Sequence, residues 1–410
     1  MRFLYFCKLI VVCWRKPFYV SFQHTECRVL TKQDILMRFN LSSSVLSSKL
    51  QTLSKVIASK NSLAILDSFL FEIKNNQLTI TASDSENTMH STINLDSAEG
   101  ETSFAVNNRT IIDAVKELPE QPLSLDVNMD EQKIYITYQN GSYNFPIQPA
   151  DEFPKVQPIA AGATTITIDA DILAENINRS LFATAQDELR PVMNGLYFDL
   201  SADSLAIVAS DGHKLVRNKI FTIKSDTPSA FILPKKPANL LKNVLTKDGG
   251  DVVIRYDQRS AEISYAEGYL SCRLIEGRYP NYNSVIPETN PNQITIDRRS
   301  LIGAIRRVSP FASESSQLIR FHIENGQLTL NAEDIDFSTS AKESVICDYA
   351  GNAMSIGFKG ASMLEILNNL EGDDITIQLA DPSRAGVIVP GKQPENEDVL
   401  MLIMPMLLND

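Results

Sequence analysis

The 410-residue chain is short of the residues that build sites on their own. Only four histidines occur, His24, His90, His213 and His322, and none has zinc-ligand spacing. No Walker loop and no Gly-rich dinucleotide fingerprint can be read in it. No stretch of 18 apolar residues exists, so no helix is expected to span a membrane. Cysteine is sparse: Cys7, Cys13 and Cys27 lie in the first 36 residues, while Cys272 and Cys347 fall singly in strand-like contexts. Two lone thiols suit a reducing compartment better than a disulfide scaffold. Positive charge is also scarce, 38 Lys and Arg against 50 Asp and Glu, for a formal net charge of −12. That balance argues against a protein that grips nucleic acid by adhesion. Hydrophobic residues make up 43%, enough for several ordinary cores.

What the chain does have is a sentence written three times. Asn75-Asn76-Gln77-Leu78-Thr79-Ile80-Thr81-Ala82-Ser83-Asp84 returns at Ala202 to Asp211 and again at Glu324 to Asp334. So long a period marks a copied domain rather than a solenoid repeat. Each copy opens with a short alternating strand and an amphipathic helix, expected over residues 44–58, 170–183 and 298–311. Asp169, Asp297 and Ser43 or Ser44 stand where an N-cap is wanted. A second helix is expected over 108–118, 236–245 and 361–370. Each copy then closes with a hairpin: 133–139 with 142–147 through Asn140-Gly141, 261–266 with 269–275, and 375–380 with 386–389. The expected fold class is therefore α+β, three repeated domains of two helices and about eight antiparallel strands each. The boundaries read as 37–156, 163–287 and 292–410, a usual domain size.

Residues 1–36 have no repeat counterpart. They carry six Lys and Arg against two acids, which leaves −16 on the rest of the chain. A signal peptide is one reading of this leader, but Lys8 interrupts its apolar stretch and no small-residue cleavage site follows. The favoured reading has Met37 as the working start, with 1–36 an upstream reading artefact or a disordered tail.

Several phrases carry a family resemblance: Met37-Arg38-Phe39, Leu63-Ala64-Ile65-Leu66, Asn194-Gly195, Ala209-Ser210-Asp211-Gly212-His213-Lys214-Leu215, Gly277-Arg278-Tyr279-Pro280-Asn281-Tyr282 and Met404-Pro405-Met406. In this order they resemble the bacterial DNA polymerase III beta subunits, the sliding clamps, over residues 37–408. The resemblance implies a head-to-tail homodimer, a closed ring of six domains around double-stranded DNA. It implies no catalysis, no cofactor and no metal, and a cytoplasmic location. DNA polymerase, clamp loader and repair proteins would dock through short peptides.

Carried over residue by residue, the peptide cleft is expected at Arg190, Met193, Ser210, Gly212, His213, Lys214, Leu215, Pro280 and Val285. Its C-terminal wall would be Leu402, Ile403, Met404, Pro405, Met406, Leu407 and Leu408. Methionine-rich surfaces repack around varied peptides. The match is imperfect: Leu407 replaces a family arginine, Asn409-Asp410 extend the end, Ser316 and Ser362 or Met363 stand where aromatics are frequent, and Pro191-Val192 replace a DNA-touching tyrosine pair. Expected DNA-facing cations are Lys49, Lys55, Lys60, Arg109, Lys116, Arg179, Lys235, Lys236, Lys242, Arg298, Arg299, Arg306 and Arg307; contacts from such residues carry no sequence information. For the dimer contact, Tyr143 and Phe145 are expected to face Pro310 and Phe311.

Two other classes compete. One is an exported three-domain β-rich binding or adhesion protein, with 1–36 as its leader. The other is a hydrolase using Asp84, Asp211 and Asp334. The repeat argues against the hydrolase, because three acids in three domains do not converge and each sits where Asp suits a turn.

Overall fold

The computed structural model describes residues 37–156, 158–187, 189–245, 249–266 and 268–408. The leader, and the extension at Asn409-Asp410, lie outside them. Each expected helix forms: α1 Ser43–Ser54, α2 Asn108–Val115, α3 Ala170–Leu181, α4 Lys235–Val244, α5 Arg298–Val308 and α6 Gly360–Asn368. The caps follow the polar residues before them. Asp169 accepts from Asp171 N and Ile172 N, and Asp297 accepts from Ser300 N. In the first copy the cap is Ser42, which accepts from Val45 N, rather than Ser43 or Ser44. Ser43 is instead buried and donates to the Pro119 carbonyl at 2.8 Å. The second helices end short of their expected leucines by one to three residues.

The apolar stripes Leu46–Leu50–Leu53, Leu173–Ile177–Leu181 and Leu301–Ile305–Val308 are all buried. Each first helix lies beside the second helix of its own copy, and the pair covers one face of its sheets. Burying each such side chain contributes roughly 1.5–3 kcal/mol. Helices on one face of antiparallel sheets are an α+β arrangement.

The sheets do not stop at the domain boundaries. Among the described residues, one sheet of nine strands joins copies one and two, and one of eight joins copies two and three. At the first joint, strand Asn87–Asn94 pairs with Gly268–Arg273, with Ser91 opposite Gly268. At the second, Lys214–Ile220 pairs with Glu397–Ile403, with Asn218 opposite Val399. Following each ladder back to the strands it pairs with makes Ser91 the counterpart of Asn218, and Gly268 that of Val399. The two joints therefore use one register.

That equivalence corrects the third hairpin. Strand Asp374–Leu379 matches the strand before the closing hairpin in the other copies, and Gly386–Pro390 with Glu397–Ile403 is the true counterpart. Its loop is longer, so the tail folds back as a strand.

Two smaller sheets are left at the ends of the chain. A five-stranded sheet in copy one ends on Gly141–Pro146, and a four-stranded sheet in copy three ends on Thr339–Ile346. These are the counterparts of the strands that form the internal joints. Ile147 N donates inward to the Gln132 carbonyl, so the backbone nitrogens of Ser142, Asn144 and Pro146 point outward by the strand's period of two. Pro146 has no hydrogen to offer there, which is the place a sheet tolerates proline.

Candidate functional site

The second copy of the repeated sentence ends on a tight turn. Asp211 accepts from His213 N at 2.8 Å and Lys214 N at 2.9 Å, and Gly212 takes a φ of +91°. A Cβ at Gly212 would meet Nη1 of Arg190 at 2.9 Å, a flexible side-chain end that can move aside, so the position calls for glycine because of its φ. Burial opposes ionisation of Asp211, but the Lys214 ammonium and the two amides outweigh it and hold the carboxyl below its ordinary value. Lys214 bridges Asp211 at 2.6 Å and Glu365 of the third copy at 3.1 Å, and its ammonium is held above its ordinary range: burial works against it and the two carboxylates prevail.

The turn edges a cavity of about 300 Å³. Strand Glu397–Ile403 brings the chain's tail past it, and Met404 N donates to the His213 carbonyl at 2.8 Å. The cavity is walled by Met193, Ser210, Gly212, His213, Lys214, Leu215, Pro280, Val285, Leu402 and Met404, ten of the expected residues brought together from two copies of the repeat. Val285 and Met404 remain 52% and 42% exposed, an apolar rim open to solvent.

Other expected residues lie elsewhere. Arg190 pairs with Asp187 at 3.1 Å behind the Gly212 turn. Ile403 is in the core, and Met406 bridges Gly357. Leu408 walls a second cavity with Ser316 and Leu318, while Pro405 and Leu407 line neither of these cavities. Three lining residues were missed: Tyr279, Asn281 and Tyr282. All belong to the phrase 277–282, whose aromatics were the available signal. Tyr279 stacks on Tyr197 with centroids 4.6 Å apart, and the Tyr282 hydroxyl donates to Asp199 at 2.8 Å. Burial pushes both phenols well above their ordinary value. They form a buried aromatic wall of the cavity.

Family models for the N-terminal, central and C-terminal domains of the DNA polymerase III beta subunit match residues 37–157, 167–281 and 283–407. The chain belongs to the DNA polymerase III beta subunit family. Among beta sliding clamps it is 26% identical to that of Pseudomonas putida over 373 residues, covering 91% of this chain and 100% of the relative. The Caulobacter vibrioides clamp is 25% identical, with 89% and 99% covered. Among solved structures, a Pseudomonas aeruginosa DNA polymerase sliding clamp superposes with a TM-score of 0.84 at 26% identity, covering 91% of this chain and 100% of that one. The Thermotoga maritima DNA polymerase III beta subunit gives 0.82 at 28%, with the same coverage.

Within this beta subunit fold the expected cations divide. Lys55, Lys60, Arg109, Lys116, Lys242, Arg299, Arg306 and Arg307 are exposed, and Lys49 and Lys235 are half-buried. Of these, Lys116 pairs with Asp113 at 2.7 Å and Arg307 with Glu343. Arg298 donates to the Leu367 and Gly372 carbonyls, closing the C-terminal end of α6. Lys236 is taken up by Asp84 and the Val56 carbonyl across the first joint. Arg179 corrects the expectation outright: it is buried against Glu397, with no surface to offer DNA. Of the residues expected at a dimer contact, Phe145 lies in its own domain's core, Tyr143 packs on Tyr138 at 4.9 Å, and Pro310 and Phe311 are exposed. Asp84 accepts from Glu86 N and Asn87 N, and Asp334 from Phe337 N, so the acid series forms turns in separate domains. Among the described residues no cluster of His, Cys, Asp or Glu is placed to hold a metal.

Proposed function

We propose that two copies of this chain close head to tail into a ring around duplex DNA and tether the replicative polymerase to it, catalysing no reaction. The observation that carries this reading is the repeated joint. Both internal boundaries are sheets continued in one register, and the same two strand types are left unpaired at the chain's ends. A head-to-tail contact between identical copies closes only if each joint turns through a matching angle. Three like domains with like joints meet that condition. Five strands meeting four would restore a nine-stranded sheet, the size already seen at the first joint.

Retention is then topological. A formal charge of −12 suits a body that surrounds DNA rather than sticking to it. Lys55, Lys60, Lys242, Arg299 and Arg306 supply the weak positive lining. The Met404–Val285 cavity takes apolar side chains of extended peptides from polymerase, clamp loader and repair proteins. The protein works in the cytoplasm, with the chromosome.

Loading onto nicked circular DNA, followed by linearisation, tests the reading. The protein stays on the circle and slides off once an end exists. Equal retention on both forms rules the ring out.

A further inference from the structure

The internal joints predict the contacts of the joint between chains. At the first joint Lys236, the second residue of α4, places its ammonium on Asp84 and on the Val56 carbonyl at the end of the first helix of the neighbouring copy. The pair ties the inner edge of the joint. At the second joint Ala361 holds the Lys236 position, and Lys214–Glu365 and Arg179–Glu397 do the tying.

Each partner of the first joint has a counterpart at a free end. Asp84 corresponds to Asp334, the last residue of the repeated sentence, in the same place on the same strand pair. Val56 corresponds to Phe311, which follows α5 and is 39% exposed. Lys236 corresponds to Arg109, the second residue of α2, because Asn107 and Pro234 cap their helices and end equivalent strands. Arg109 is exposed, and its guanidinium makes no hydrogen bond or ion pair among the described residues.

We infer that Arg109 of one protomer pairs with Asp334 of the other and that the two edge strands meet with Tyr143 opposite Ala341 and Ser142 opposite Lys342. This rests on the ring reading and fixes its register. The register comes from carrying Ser91 opposite Gly268 to the equivalent positions, Glu343 and Gly141. Two further features of the strands agree with that register. Tyr143 and Ala341 both pack toward the core of their own domain, so they meet on one face. Cys347 N donates inward to Gly326, so the amides of Ser340 and Lys342 point outward, as do those of Ser142 and Asn144. Arg109, read from sequence as DNA-facing, becomes a clasp residue.

Two experiments test this on the full chain. The first introduces Ser142→Cys with Lys342→Cys, in a background where Cys7, Cys13 and Cys27 are Ser. Facing residues of a hydrogen-bonded antiparallel pair lie about 5.5 Å apart, within disulfide reach. Mild oxidation gives a covalent dimer; Ser142→Cys with Ser344→Cys, two residues out of register on the same face, does not. Preferential crosslinking of the shifted pair overturns the register. The second measures the dimer dissociation constant by sedimentation. Arg109→Glu and Asp334→Arg each weaken the dimer about tenfold or more, and the double reversal recovers most of the loss. Because Asp334 is largely buried, the milder Arg109→Gln and Asp334→Asn cycle is run beside it, and non-additivity is expected there too. Strict additivity in both cycles, or rescue of Arg109→Glu by Asp336→Arg instead, overturns the pair. A wild-type chain that stays monomeric at every concentration defeats the ring reading itself, a result distinct from either.

Discussion

The guanidinium of Arg179 lies 2.9 Å from the carboxylate of Glu397, and both side chains are buried between the second and third domains. Asn176 donates to the other oxygen at 3.0 Å, and Glu371 reaches the same arginine from the rim at 3.3 Å. Arg179→Ala strands the Glu397 charge in a dry site and is expected to cost about 3–5 kcal/mol in urea unfolding. Replacing both partners, Arg179→Met with Glu397→Leu, recovers most of that loss. The salt dependence of DNA association stays unchanged in either variant, since this arginine faces no solvent.

Acid acts on the first joint. Burial raises the Asp84 pKa, but the Lys236 and Asn87 hydrogen bonds prevail and keep it below its ordinary 3.8. A carboxylate depressed in the folded state contributes stability that is present above 3.8 and lost as pH falls through the folded value. Unfolding followed from pH 6 to pH 2.5 should therefore lose stability below about pH 4. Asp84→Asn lowers the plateau and flattens that acid limb. An unchanged limb in the variant means that other carboxylates drive the loss.

The cleft depends on a backbone conformation that only glycine takes cheaply. Gly212→Ala, at φ +91°, is expected to cost about 1–2 kcal/mol and to push Arg190 away. Met404→Asp leaves folding intact, because Met404 is 42% exposed, but puts a charge on the apolar rim. Fluorescence anisotropy with a short peptide carrying two apolar side chains should show at least a roughly tenfold weaker Kd, about 1.4 kcal/mol. Retention on circular DNA is unaffected, which separates docking from encirclement.

The architecture was legible because three copies of one sentence checked one another. Asp169 and Asp297 cap helices as their type and position require, and the apolar stripes are buried where the helical period puts them. The third hairpin was misplaced because its turn is long: Asp374–Leu379 and Gly386–Pro390 look like a hairpin and are one, yet the matching pair lies one strand later. Nothing local distinguishes them; only the neighbours across the sheet do. The cleft was largely readable from matching phrases, while Tyr279 and Tyr282 escaped because loop aromatics have no period. Lys236 and Arg179 left the expected DNA-facing set for a physical reason. A helix face is visible in sequence, but Lys236 and Arg179 sit at joints, and a joint is made by residues more than a hundred positions away.

Pro146 has a consequence for where such a ring gives way. At the seams inside the chain, Arg273 N–H reaches the Glu86 carbonyl at 2.9 Å and Met404 N–H reaches that of His213 at 2.8 Å, stitching the last row of each ladder. Pro146 occupies the same row at the seam between chains and cannot supply the stitch. A force spread evenly around the annulus would begin to unpick at that corner, parting protomer from protomer while each half kept its curvature.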